Sequence, residues 1–419
     1  MLVTNFATKV RSTRIGLVLT ASLSLVATTP ANADPAPTNP AQADFEQCKA
    51  RLKTKAKAEG IDGPTVDHVL DAVQYNARVI ELDQRQPEFT RTFGNYYQLR
   101  VTSSRVALGR ALLAKHIDLL QRVRQQTGVP PHYLVAFWGL ETNFGNIFGD
   151  MSVPDSLTTL ACDPRRSEFF STELINALKI IEAGDIEAGK MQGSWAGAMG
   201  HVQFMPSAYL NYAVDGDGDG RRDLWGSIPD AMFSAGNFLQ HLGWQPGVRW
   251  GREVILPEDF DYALANTGKA RALSDWRALD ITDVFAQPLA KSDISTRLLV
   301  PSGHKGPAFV TYQNFDVIMG WNRSEYYALS VGRLADRIAG AGKLHNTPPD
   351  ANLKLTNELV LQLQQNLNTL GYDAGEPDGV PGPMTRSALS RYQQSRGVIA
   401  DGYLDTAILE AIGKDVLSE

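Results

Sequence analysis

Apolar residues recur at helical spacing along most of this chain. Phe45, Cys48, Leu52 and Ala56 share one face and predict a helix from Asp44. Asp62 is placed to cap a second helix, with Pro64 in its first turn and Val66, Val69, Leu70 and Val73 as the buried stripe. One long amphipathic helix is expected over about 101–126, closed by Gly128, and Pro130 and Pro131 then open the helix that carries Glu141. Further helices are expected at 165–183, 207–213, 230–242 and 324–338. Between the last two the texture changes: 252–256, 295–300, 308–312 and 316–319 read as short strands among Gly and Pro turns. The pattern predicts a mainly α protein with a small β subdomain.

After a linker at 341–355 the helical pattern resumes. Leu359, Leu363, Leu367 and Leu370 keep helical spacing, Pro377-Asp378-Gly379 makes a tight turn, a second helix covers 384–396, and Asp401-Gly402 turns into a third. At 419 residues the chain has room for two to three domains. A net charge of −6 and a pI near 5.7 leave no basic footprint for nucleic acid. Lys9, Arg11 and Arg14 precede the apolar run 15–27, and Ala31-Asn32-Ala33 offers a cleavage site before Asp34. Residues 1–33 therefore read as a secretory signal, too short in its apolar run to span a bilayer, and 34–43 as a flexible leader. No cysteine follows the cleavage site closely enough to accept lipid, so the expectation is an exported, periplasmic protein without a membrane anchor. The only cysteines, Cys48 and Cys162, form either a disulfide or two buried thiols, and the sequence leaves both open.

The candidate chemistry begins at Glu141, set in Phe137-Trp138-Gly139-Leu140-Glu141-Thr142-Asn143-Phe144-Gly145. A carboxyl group placed against rings loses hydration of its charged form and is pushed towards service as a general acid. About fifty residues on comes Ser194-Trp195-Ala196-Gly197-Ala198-Met199-Gly200-His201-Val202-Gln203-Phe204-Met205-Pro206-Ser207. Its small residues leave room for a ligand near the backbone, while Ser194 and Gln203 supply polar groups at a pocket edge. A solvated helix-terminal Glu and tight helix packing by Gly and Ala are the bland alternatives.

The two segments together resemble the lytic murein transglycosylases of the B type, glycoside hydrolase family 103, over about residues 45–340. The resemblance implies a lysozyme-like α+β catalytic domain at 44–340, Glu141 as single catalytic acid, and Ser194, Gln203 and Phe204 on the glycan cleft. By the same resemblance Arg165 and Arg166, in Asp163-Pro164-Arg165-Arg166, belong to a cleft motif, and Asn322 and Tyr327, in Trp321-Asn322-Arg323-Ser324-Glu325-Tyr326-Tyr327, contact glycan. A helix cap for Asn322 and core packing for Tyr327 are their rival readings. Phe238 stands where relatives often carry a cleft tyrosine. Residues 356–419 resemble the three-helix peptidoglycan-binding domain through Leu363-Gln364, Leu370-Gly371-Tyr372, Pro377-Asp378-Gly379, Tyr392-Gln393 and Asp401-Gly402, with Pro381 where Phe is usual.

One acid rather than two implies an intramolecular nucleophile, because most glycosidases use a second carboxylate. The expected reaction cleaves the β-1,4 bond between N-acetylmuramic acid and N-acetylglucosamine and leaves a 1,6-anhydro sugar. Peptidoglycan strands are the expected partner of a monomer that needs no organic cofactor. Asp215-Gly216-Asp217-Gly218-Asp219-Gly220-Arg221 has the opening of an EF-hand loop, with Asp215, Asp217 and Asp219 as side-chain ligands and Arg221 giving its backbone carbonyl. The twelfth position is Gly226, so Asp230 is the candidate closing ligand for a structural calcium ion. A solvated Asp/Gly turn is the alternative there. For the whole chain the alternatives are a hydrolytic muramidase and a non-catalytic, calcium-stabilised wall-binding protein.

Overall fold

The protein is described here by a computed structural model that covers residues 40–85, 91–349 and 355–418. The expected signal segment 1–33 lies outside the described residues, as does most of the leader. The first helix, Pro40–Ala58, nevertheless takes in the last four residues of that leader. Among the described residues no helix is long and apolar enough to cross a membrane.

At the centre stands Pro131–Thr142, the helix that ends at the candidate acid. All of its residues except His132 and Glu141 are buried, which is the behaviour of a helix with no polar face, enclosed on every side. It packs against Glu325–Ile338, Ser103–Lys115, Ile117–Thr127 and Ile228–His241. Pro130 and Pro131 start it, and it stops because Asn143, Phe144 and Gly145 all take left-handed backbone, with φ of 49°, 62° and 80°. The Phe144 ring folds back over Gly139, where a Cβ would collide with it.

Two elements depart from the sequence expectation. The helix expected over 101–126 is two helices, broken at His116 with φ −108° and ψ 19°; a continuous apolar stripe does not report a bend between consecutive helices. The strand expected at 316–319 lies within the helix Gln313–Trp321. So short a run, Asp316-Val317-Ile318-Met319, fits either period, and here Phe315 and Ile318, three apart, are both buried. The other expected strands lie in an antiparallel five-stranded sheet in the order Arg271–Ala272, Ser295–Leu299, Ala308–Thr311, Gly251–Ile255, Thr282–Asp283. This sheet has its own core around Val254, Trp276, Leu298 and Val310.

The C-terminal helices Asn357–Thr369, Pro383–Ser395 and Thr406–Ser418 close a third core on Leu363, Leu367, Leu389, Tyr392 and Ile412. Two buried glutamines organise its turns in the same way. Gln364 donates to Asp378 Oδ1 at 2.9 Å and accepts from the N–H of Gly379, while Gln393 donates to Asp401 Oδ1 at 3.0 Å and accepts from the N–H of Gly402. This unit is docked rather than loosely tethered. Asp401 Oδ2 accepts from the His304 N–H at 2.9 Å, and Arg386 pairs with Glu325 at 3.1 Å. Earlier in the linker, Glu253 accepts the backbone N–H groups of His345 and Asn346, both at 2.9 Å.

Cys48 and Cys162 are joined by a disulfide across 114 residues, deciding the question the sequence left open. The closed loop contains the Glu141 helix. Chain entropy alone attributes about 5 kcal/mol to a cross-link over such a loop. Replacing both cysteines by alanine is therefore expected to lower unfolding free energy by up to about 5 kcal/mol, read from urea transitions of variant and parent under non-reducing conditions; coincident transitions would show that the bond contributes nothing.

Candidate functional site

Glu141 sits in the last turn of its helix, half-buried, with rings from four other elements around it. Trp321, at the end of Gln313–Trp321, donates its indole N–H to Glu141 Oε1 at 2.8 Å. Tyr327, in the first turn of Glu325–Ile338, donates its hydroxyl to the same oxygen. Burial, and then the negative charge of Glu141, push the Tyr327 phenol well above its ordinary value, so it remains a neutral donor. Behind these lie Phe137, 4.5 Å from Trp321 between ring centroids, Phe204 at 5.5 Å and Phe238 at 5.1 Å. Phe238 in turn stacks on Tyr212 at 4.7 Å.

The loop at 194–207 is locked to the end of the acid's helix. Trp138 Nε1 donates to His201 Nδ1 at 3.0 Å, and Thr142 Oγ1 donates to the His201 carbonyl at 2.9 Å. Burial lowers the His201 pKa to about 4, which keeps Nδ1 an acceptor at neutral pH. Within the loop Met199 and Phe204 exchange backbone hydrogen bonds at 2.9 and 3.0 Å. The buried Glu173 carboxylate receives the Ser207 N–H at 2.9 Å and its hydroxyl at 2.6 Å, anchoring the exit into Pro206–Tyr212. The glycines serve the turn rather than an approaching ligand. Gly197 and Gly200 have φ of 88° and 67°, and a Cβ at either would strike Leu157 or Leu224.

The expected site residues are distributed unevenly. Tyr327 reaches Glu141 directly. Gln203, itself at φ 51°, turns its amide nitrogen to the carbonyls of Phe148 and Gly200, and Ser194 Oγ accepts from the Ala198 N–H at 3.0 Å. Both remain partly exposed. Phe204 is only 2% exposed and forms part of the wall behind Trp321. Asn322 Oδ1 accepts from the Ser324 N–H at 3.0 Å, holding the turn between two helices. Arg165 and Arg166 both pair with Asp83, which is 3% exposed, and Arg166 also lies over the Phe170 ring. Asp83 was not foreseen, and neither was the donor role of Trp321; only the position of Trp321 inside an already suspected motif pointed towards it.

In the acidic loop, oxygens of Asp215, Asp217 and Asp230 lie within 4.8 Å of one another. Asp230 is fully buried in the first turn of Ile228–His241, where Oδ1 accepts from Gly216 N–H and Oδ2 from Asp223 N–H. Burial raises its pKa despite those bonds, and the nearby Asp217 adds to the rise. Asp219, expected as the third ligand, stands outside this group and accepts from the Arg221 N–H at 2.8 Å. The neighbouring Arg222 turns away to Asp185 at 2.6 Å. Three convergent carboxylates, one of them buried, fit a hard oxygen-binding cation.

A separate cavity of about 650 Å³ lies between the 302–305 turn and the C-terminal helices, lined by His304, Lys305, Val398, Ile399 and Tyr403.

Comparison with known proteins matches these parts. A family model described as "Transglycosylase SLT domain" covers residues 44–336, and one described as "Putative peptidoglycan binding domain" covers 356–412. Membrane-bound lytic murein transglycosylase B of Escherichia coli (strain K12) is 33% identical over 246 residues, 58% of this chain and 66% of that protein, just under two thirds of its length. The crystal structure of SltB3 from Pseudomonas aeruginosa in complex with NAG-anhNAM-pentapeptide superposes with a TM-score of 0.85 at 42% identity, covering 88% of this chain and 99% of that one. The Escherichia coli lytic transglycosylase Slt35 in complex with calcium gives 0.61 at 29% identity, over 72% and 93%. Because the first model spans well over half the chain and takes in both Glu141 and the loop locked to it, the chain belongs to the transglycosylase SLT domain family.

Proposed function

We propose that this protein is an exported lytic transglycosylase that cleaves peptidoglycan between N-acetylmuramic acid and N-acetylglucosamine, with Glu141 as its single acid and base. The observation that carries the reading is the carboxyl group of Glu141, held by the Trp321 indole and the Tyr327 hydroxyl within a wall of rings. Glu141 first gives its proton to the glycosidic oxygen as the bond to C1 breaks. The resulting carboxylate then takes the proton of the muramoyl C6 hydroxyl as that oxygen bonds to C1. The nucleophile belongs to the same sugar, so it acts at high effective concentration and no water is consumed. Ser194, Gln203 and Asn322 are assigned to the glycan cleft. Tyr327 and Phe204, both buried, and Arg165 and Arg166, both paired with Asp83, are assigned to its support.

Export is supported by the signal-like segment at 1–33 and by the disulfide, since such bonds persist in oxidising compartments. The catalytic unit is taken as 44–340, with 356–419 as the wall-binding unit. Calcium is the proposed cation for Asp215, Asp217 and Asp230, and its part is structural: it would offset most of the repulsion among three carboxylates and brace the segment that follows the 194–207 loop.

Glu141→Gln keeps the shape and cannot exchange the proton. Turnover of purified sacculi is expected to fall by at least roughly 10²- to 10⁴-fold, with glycan binding retained. For the parent enzyme, mass analysis should find muropeptides one water lighter than hydrolytic products; reducing-end products would make the protein a hydrolytic muramidase, and no soluble product at all a wall-binding protein.

Calcium at a hundredfold excess over its dissociation constant is expected to stabilise the fold by about 2.7 kcal/mol, raising the thermal midpoint. Asp215→Asn with Asp217→Asn should remove the response. Identical melting curves in calcium and chelator would leave the loop an ordinary turn.

Removal of residues 356–419 is expected to weaken pelleting with insoluble sacculi, because a second attachment point is lost. Undiminished pelleting of the truncated protein would assign wall binding to the catalytic unit alone.

A further inference from the structure

Tyr327, which donates to Glu141, stands in the first turn of Glu325–Ile338. First turns are where helices fray, because their N–H groups have no partner within the helix. Here Ser324 caps the turn by accepting from the Tyr327 N–H at 3.3 Å, and Asn322 holds Ser324 at 3.0 Å. A further hold comes from the C-terminal unit. Arg386, on Pro383–Ser395, donates to Glu325 Oε2 at 3.1 Å. This contact is largely withdrawn from solvent, with side-chain exposures of 24% and 18%. Beside it Arg386 Nε and Glu325 Oε1 are buried with no hydrogen-bond partner among the described residues. Breaking such a pair leaves a poorly solvated charge on each side, which costs more than losing a surface pair.

Tyr326, between Glu325 and Tyr327, faces the same junction. Burial pushes its phenol up to about 12, and Arg386 and Tyr403 of the C-terminal unit both act on it electrostatically. Its ring lies 5.6 Å from Phe93 and 6.2 Å from Tyr96. Three consecutive residues thus run from the C-terminal unit to the acid. The unit that supplies Arg386 is itself firmly seated. Its Asp401-Gly402 turn lies against the Arg386 backbone, where a Cβ on Gly402 would come within 2.7 Å of the Arg386 carbonyl oxygen. Asp401 in turn holds the His304 N–H at 2.9 Å and the His304 ring at 2.6 Å. Arg386 therefore reaches Glu325 from a fixed base.

We infer that Arg386, on the wall-binding unit, is a positioning residue of the catalytic centre: through Glu325 it holds the first turn of Glu325–Ile338, and with it the Tyr327 hydroxyl, in place on Glu141. The inference rests on the reading of Glu141 as acid and base. It gives the C-terminal unit a second task beside attachment, since that unit completes the setting of the acid. The two tasks separate in kinetics. Loss of attachment weakens apparent affinity and leaves kcat, whereas loss of positioning lowers kcat and leaves KM.

The test uses the full-length protein and a short soluble glycan. Arg386→Gln is expected to lower kcat roughly 3- to 10-fold and to leave KM within about twofold. Tyr327→Phe keeps the ring, removes the hydroxyl and should lower kcat by roughly tenfold or more. The deciding measurement is the double variant. If Arg386 acts through Tyr327, Arg386→Gln costs nothing further once the hydroxyl is gone. Additive losses would mean that Arg386 acts on the acid by its charge alone or by general stability, and would overturn the inference. An unchanged kcat in either single variant would overturn it too. If Arg386→Gln does not fold, judged by its thermal transition, Glu325→Gln opens the same contact from the other side and is read in the same cycle. Substantial activity in Glu141→Gln would remove the acid, and this inference with it; an inactive Gln variant beside additive losses would sink the inference alone.

Discussion

The structure depends on enclosing a helix that has no polar side and yet must present one carboxyl group. Every position of Pro131–Thr142 but two is buried, so the helix can stand only where other helices surround it. The burial that stabilises it also fixes the place of Glu141. Its last turn cannot run on, because three residues in left-handed backbone reverse the chain and the Thr142 hydroxyl and the Trp138 indole clamp it to His201. The surrounding parts supply what a half-buried carboxylate requires, namely donors for its charge. They come from chain segments some 180 residues away, so the acid becomes a defined chemical group only when the whole helical unit has closed.

Much of this was legible in the sequence, and the limits are physical. Asp62 caps its helix as the pattern predicts, accepting from the Thr65 N–H, and Pro131 and Gly128 bound their helices as expected. Such signals are local, fixed by backbone groups within four residues. The break at His116 and the helical state of 316–319 were not legible, because there the outcome is set by what the residues pack against. The same holds at the site. Glu141 and its motif loop announced themselves, and the family match includes both. The pairing of Arg165 and Arg166 with Asp83 did not, since an ion pair across eighty residues leaves no mark in spacing. Gly197 and Gly200 looked like space for a ligand and are filled by Leu157 and Leu224; composition identifies small residues without saying what approaches them.

The acidic loop is a middle case. The sequence named Asp215, Asp217, Asp219 and Asp230 as side-chain ligands, and the fold brings Asp215, Asp217 and Asp230 together while Asp219 stands apart. Asp230 belongs to a buried helix start whose backbone bonds hold it against Asp215 and Asp217. A loop that borrows a ligand from the following helix ties any bound cation to the core behind it, in a way a free twelve-residue loop does not.

The docking of the C-terminal helices has a geometric consequence. With Asp401 on His304, Arg386 on Glu325 and the linker held by Glu253, this unit shares a frame with Glu141 instead of roaming on a leash. Glu325 opens the very helix that carries Tyr327. A polymer gripped at one end of such a frame and cut at the other would be measured as well as severed, since the offset between grip and cut is a property of the fold. Lengthening the linker would leave that offset unchanged for as long as those contacts hold.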